Sequence, residues 1–147
     1  MKTLWNEADR TELRDRVRRL APSATPQWGR MNAFQMMVHI TDQLRMSLGE
    51  LKVGQLRSIA RYAPLKQLLI YWLPWPKGAP TMPELIARPP GEWTGEVDAF
   101  LAALERFGAR DPRQPWSEHP LFGALSPRAW GALGYRHVDH HFRQFGV

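Results

Sequence analysis

The sequence predicts an all-α protein, a four-helix bundle with long crossover connections. Apolar residues recur at helical spacing in four stretches, whereas apolar and polar residues hardly alternate over strand length. Pro- and Gly-rich segments separate the four stretches, as expected for long connections in such a bundle. A chain of 147 residues with 44% hydrophobic content can bury one core. We therefore predict a single helical-bundle domain over residues 1–147.

The first two helices have clear start signals. Asn6 is a favourable N-cap for a helix that runs to about Leu20. Asn32, followed three residues later by Gln35, forms a capping-box pattern for a second helix that runs to about Gly49. This second helix carries apolar residues on two opposite stripes, so we expect neighbouring elements to cover it on more than one side.

The second half of the chain predicts two more long helices. A third helix runs from Trp93 to Phe107, with Gly108 as its stop. Ser126 and Pro127 give the N-cap and first turn of the last helix. The proline-rich residues 55–90 predict a long crossover with one or two short helices.

Composition and charge exclude several classes of protein. The chain has no cysteine, so a metal ion would need histidine, carboxylate or water ligands. The net charge is +6, but the densest arginine group alternates with acidic residues, which indicates a solvated helix face and no nucleic-acid partner. That group comprises Arg10, Arg14, Arg16, Arg18 and Arg19. Without a signal-like or membrane-length apolar run, we expect a cytoplasmic protein with no membrane partner.

Histidines are the strongest functional signal. His137 and His141 are four residues apart, so on a helix they lie on one face, and here that face is the apolar stripe. His39 lies within the second predicted helix and is the best third ligand for a metal site that keeps an open position. His140 and His119 are less well placed alternatives. Asp42 would at most contact a ligand without binding the ion itself.

Other interpretations of these residues remain open. A histidine on an apolar helix face is often a core residue hydrogen-bonded to a neighbour. Glu84 and Glu92 are an alternative acid–base pair in the proline-rich segment. A serine hydrolase and a P-loop protein are excluded, since no nucleophile elbow and no phosphate-binding glycine loop is present.

The chain also resembles a known group of metalloenzymes. The segments "WGRMNAFQMMVHITDQLRMSLGE" and "HPLFGALSPRAWGALGYRHVDHHFRQFG" are similar to the DinB-like superfamily, in a branch that is a domain of unknown function. This resemblance implies an often dimeric four-helix bundle that binds a divalent ion, here through His39, His137 and His141. It also implies chemistry with a low-molecular-weight thiol. The chain departs from the common closing pattern at Phe142 and Arg143.

Two functions are compatible with the sequence. The first is a metal-dependent enzyme on a small molecule, by thiol transfer or hydrolysis, with zinc or nickel as the expected ion. The alternative is a non-catalytic binding or stress-associated module whose metal site is structural or vestigial. A homodimer is expected on the resemblance alone.

Overall fold

The computed structural model describes residues 1–78 and 81–147, and in this part of the chain it is all-helical, without strands. Ala79 and Pro80, which belong to the predicted crossover, lie outside the described residues. Within these described residues, five α-helices follow one another. They are α1 (Glu7–Arg19), α2 (Ala33–Ser47), α3 (Leu65–Tyr71), α4 (Trp93–Ala109) and α5 (Pro127–Gln144).

The predicted start signals are confirmed by hydrogen bonds. The Asn6 side chain accepts from the backbone of Ala8 and Asp9, and Ser126 accepts from Ala129. Asn32 and Gln35 form the complete capping box at the start of α2. The predicted crossover contains one short helix, α3, and two turns of 3-10 helix at Ile59–Arg61 and Pro83–Leu85.

Gly108 was expected to stop the third long helix, and this prediction is wrong because α4 continues through Ala109. A Cβ atom at Gly108 would come within 2.5 Å of the guanidinium carbon of Arg10. The glycine therefore makes room for an arginine of α1 instead of ending the helix.

The expected solvated arginine face of α1 is also partly wrong, since Arg10 and Arg16 are buried. Arg10 donates to the carbonyl of Leu4 at 2.6 Å. Arg16 donates to Asp139 of α5 at 2.7 Å and to the carbonyl of Val147 at 2.8 Å. These two arginines join α1 to other parts of the fold, because a buried cation needs acceptors in place of water.

The long helices pack in a closed circuit. Helix α2 contacts α4 and α5, and α1 contacts the same two helices. One cluster of buried apolar side chains includes residues of all five helices, with Trp130 and Phe100 among the largest fully buried ones. As predicted, α2 is covered on several sides, while the regular four-helix bundle stays a prediction. In the described part of the chain, no helix has both the length and the apolar character that crossing a membrane requires.

The N-terminal segment lies against two glycines of α5. Leu4 donates its backbone N–H to the carbonyl of Gly131 at 3.0 Å. A Cβ atom on Gly131 would lie 2.4 Å from the Trp5 ring, and one on Gly134 would lie 2.5 Å from Leu4. This close approach holds the chain start on the same helix that carries three histidines.

We predict that Gly131→Ala lowers the free energy of unfolding by about 1–3 kcal/mol, because the added methyl group displaces the Trp5 ring. Urea denaturation measures this change. The matched control is Gly95→Ala in α4, where no described atom apart from the local helix backbone and the adjacent residues lies within 4 Å of the Cβ position. That control should be neutral or stabilising by up to about 1 kcal/mol, as helix propensity dictates. Equal effects of the two substitutions would contradict the packing argument.

Candidate metal centre

Helix α2 places His39 in the interior, with only 3% of the residue exposed. Its Nδ1 lies 3.3 Å from the carbonyl oxygen of Leu85, at the end of the second 3-10 turn. A carbonyl oxygen can only accept, so Nδ1 carries the proton and Nε2 keeps its lone pair. The proline-rich crossover therefore orients the α2 histidine.

Helix α5 supplies the other two histidines, and Gln144 orients one of them. The Gln144 amide nitrogen donates to the carbonyl of Trp28 at 2.5 Å, so its oxygen faces His141. That oxygen lies 2.8 Å from Nδ1 of His141. Nδ1 of His141 is thus the protonated nitrogen, and its Nε2 has a free lone pair.

The three imidazole rings form a nearly equilateral triangle. Each pair of ring centroids is 4.8 Å apart, and the ring planes cross at 76° to 88°. Nε2 of His39 lies 3.0 Å from Nε2 of His137, and one ligand atom from each of the three residues lies within 4.8 Å of the others. The structure therefore brings together His39, His137 and His141, as the sequence predicts.

Burial keeps this triangle uncharged. It lowers the pKa of His39 to about 4 and that of His141 to about 3. It also holds the pKa of His137 well below the ordinary value, and the neighbouring imidazoles add to this effect. At neutral pH all three rings are neutral, which is the state that offers nitrogen lone pairs to a metal ion.

The donor set and the spacing fit a divalent ion. Imidazole nitrogens bind zinc at about 2.0–2.1 Å, which puts two ligands on one ion about 3–3.5 Å apart. The two Nε2 atoms at 3.0 Å meet this condition, and a shared cation would give both nitrogens a partner. In residues 1–78 and 81–147, no fourth histidine and no carboxylate joins the cluster, so the three histidines would leave coordination positions open.

Two alternative ligands lie outside the triangle. His140 projects to one side, where its ring meets Trp28 at 5.7 Å and Trp75 at 6.1 Å between centroids. Asp42 is buried but accepts a hydrogen bond from Arg45 at 3.0 Å, and Arg88 lies 3.7 Å from its other oxygen. Asp42 is therefore part of an ion-pair network on another side of α2.

The remaining alternatives have structural roles. His119 accepts hydrogen bonds at Nδ1 from the backbone of Leu121 at 3.1 Å and Phe122 at 3.3 Å, which closes a tight turn. Glu84 accepts from the backbone of Gly54 at 3.0 Å, and Glu92 is the N-cap residue of α4. None of these residues joins the three histidines in the cluster.

Sequence reasoning missed the groups that orient the ligands. Gln144 follows His141 by three residues, and this helical spacing alone could have predicted their contact. The carbonyl groups of Leu85 and Trp28 carry no signal of this kind, because any residue type has a backbone carbonyl. Trp75, whose ring centroid is 5.9 Å from that of His137, lies in the crossover, where the sequence predicts little regular structure.

Two cavities border these elements. The larger, about 410 Å³, lies between the start of α2 and residues 86–90, with Arg30 and Arg88 in its wall. The smaller, about 250 Å³, is lined by Trp28, Trp75 and the His140 side of α5. The Trp75 ring, which lines the smaller cavity, also lies next to the His137 ring.

Comparison with known proteins gives one match. A family model described as "Protein of unknown function (DUF1569)" matches residues 77–146, slightly less than half of the chain. This region includes α4, α5 and the candidate ligands His137 and His141, but not His39. No curated protein and no solved structure matches the chain. Nothing in these comparisons links the chain to the DinB-like superfamily.

His119 provides a test of histidine burial away from the triangle. Burial lowers its pKa to about 3, so its full contribution to stability is present above the ordinary pKa of 6.5 and is lost as the pH falls toward 3. We expect His119→Gln to flatten the decline in unfolding free energy between pH 6 and pH 4, by about 1.4 kcal/mol per pH unit. Urea denaturation of metal-free protein over this range measures the slope. An unchanged slope would mean that His119 titrates normally in the folded protein.

Proposed function

We propose that His39, His137 and His141 bind a divalent metal ion and that the protein is a metal-dependent enzyme acting on a small molecule. The observation that carries this proposal is the convergence of three neutral imidazoles, two of which have their tautomers set by Leu85 and Gln144. Buried imidazoles held in this way are typical of metal ligands with oriented outer partners.

A metal ion with three imidazole ligands would supply an activated nucleophile, by lowering the pKa of a thiol or water bound at an open position. This chemistry suits thiol transfer or hydrolysis. Zinc or nickel is the expected ion, since imidazole is a good ligand for both. The chain's own residues would hold the ligand geometry and keep the rings neutral.

The ligand count favours a catalytic centre over a structural one. Structural zinc sites are closed by four protein ligands, whereas the described cluster has three. His137 is also only partly buried, unlike His39 and His141. A non-catalytic module with a vestigial site is the alternative that the tests below separate from an enzyme.

Several features implied by the resemblance also belong to this proposal. They are membership of the DinB-like superfamily, its bundle topology, a homodimer, a low-molecular-weight thiol as co-substrate and a cytoplasmic location.

We expect purified wild-type protein to contain about one divalent ion per chain, and His39→Ala, His137→Ala and His141→Ala each to lose most of it. Elemental analysis measures the ion content. His140→Ala is the matched control, because its ring lies beside the triangle without contributing to it. A screen for thiol-dependent turnover and for ester and amide hydrolysis, on wild type and His137→Ala, then tests the enzymatic part.

Each part of the proposal can fail separately. Wild-type protein without a stoichiometric ion would overturn the metal site. A bound ion that raises the melting temperature, in a protein with no turnover in the screen, would favour the structural alternative.

Gln144→Ala should weaken metal binding by about 10- to 100-fold, because His141 loses the acceptor that sets its tautomer and ring orientation. Competition with a chelating dye measures this affinity. Gln144→Glu provides the comparison, since it keeps an oxygen for His141 but loses the donor to Trp28. Affinity in Gln144→Ala equal to that of wild type would show that the hydrogen bond does not prepare the ligand.

A further inference from the structure

The Trp75 ring separates the smaller cavity from His137 of the candidate metal centre. Trp75 forms part of its wall and also lies 5.9 Å, between ring centroids, from His137. Trp28 also lines the cavity, and its ring centroid lies 5.7 Å from that of His140. A molecule in this cavity would therefore be one aromatic ring away from a proposed metal ligand.

Positive charge dominates the lining of this cavity. Among the described residues of its lining, the charged ones are Lys77, Arg136, Arg143 and the carboxylate of Asp139. Arg16 of α1 donates to that carboxylate at 2.7 Å from outside the lining, so the negative charge is already compensated.

The three cations differ in how they are held. Arg136 donates to the carbonyls of Ile70 at 2.6 Å and Leu73 at 2.5 Å while its guanidinium lies over Trp75, so it fixes this wall. The Lys77 ammonium lies 4.5 Å from the centre of the Trp28 ring. The Arg143 side chain is 72% exposed, and its distance to Asp139 is 3.9 Å. Lys77 and Arg143 thus keep donors available for a ligand.

The shape of the cavity adds a second requirement. Two tryptophan rings provide flat apolar walls, which favour a planar or unsaturated ligand body. The volume of about 250 Å³ is below the roughly 300–1,000 Å³ of pockets for drug-sized molecules. A small ligand with one flat part and one anionic group meets both requirements.

We propose that this cavity binds a small planar carboxylate, with Lys77 and Arg143 pairing the anionic group and Trp28 and Trp75 enclosing the body. The inference deepens the proposed function and rests on it, because it assigns the carboxylate to the substrate of the adjacent metal centre. The cavity and its charges are independent of the ion.

Calorimetric titration of metal-free protein with benzoate, and with its neutral isostere benzamide, tests the cavity. Benzoate should bind more tightly, and the double variant Lys77→Gln/Arg143→Gln should weaken benzoate by about three- to tenfold without changing benzamide. The control Lys52→Gln/Arg113→Gln removes the same charge from exposed positions elsewhere in the chain. Equal affinity for both probes, or an equal loss in the control variant, overturns the proposal.

Cobalt substitution tests whether the cavity faces the metal centre. In protein shown to contain cobalt, the ring protons of bound benzoate should broaden in the NMR spectrum, and Lys77→Gln/Arg143→Gln should reduce this broadening. Benzoate that binds without broadening overturns the assignment to the substrate. A protein that takes up no cobalt contradicts the metal centre instead, while the calorimetric comparison still decides the carboxylate site.

Discussion

The structure around the candidate site depends on placing three unprotonated imidazoles between α2 and α5, two of them buried and one partly buried. Polar nitrogens in an apolar interior need hydrogen-bond partners or a metal ion, because leaving a buried nitrogen unpaired costs free energy. His39 meets this need through the Leu85 carbonyl, and His141 through Gln144. Nδ1 of His137 is buried without a hydrogen-bond partner among the described residues. One ring nitrogen from each of the three histidines lies within 4.8 Å of the others, so a single cation can bind all three.

The connections between the helices supply groups that surround and orient the histidines. The crossover supplies the carbonyl of Leu85 and the ring of Trp75, and the α1–α2 connection supplies the carbonyl of Trp28. The next residue, Gly29, has a φ of +82°, and a Cβ atom there would lie 2.5 Å from the Gln144 amide nitrogen. This backbone conformation suits glycine, and it lets the connection approach Gln144 closely.

Charge has two separate roles in this protein. Arg16 links α1 to Asp139 on α5 and thereby compensates the negative charge of this carboxylate beside the smaller cavity. Lys77 and Arg143 add two positive charges to the lining of that cavity. Arginines of this chain therefore serve helix packing in α1 and also line the cavity beside the candidate site, and the even spread of arginine along the sequence did not predict either role.

Much of the helical structure could be predicted from the sequence, because the signals are local. Caps such as Asn32 with Gln35, and a histidine pair at four-residue spacing, act within one or two turns of a helix. The sequence by itself thus determined the start of α1, α2 and α5 and the choice of His39, His137 and His141. The tertiary structure alone decided that Gly108 accommodates Arg10, that Arg16 is buried, and that backbone carbonyls orient His39 and Gln144. These contacts join residues far apart in the chain, so their partners are set by how helices and connections pack and not by any local pattern.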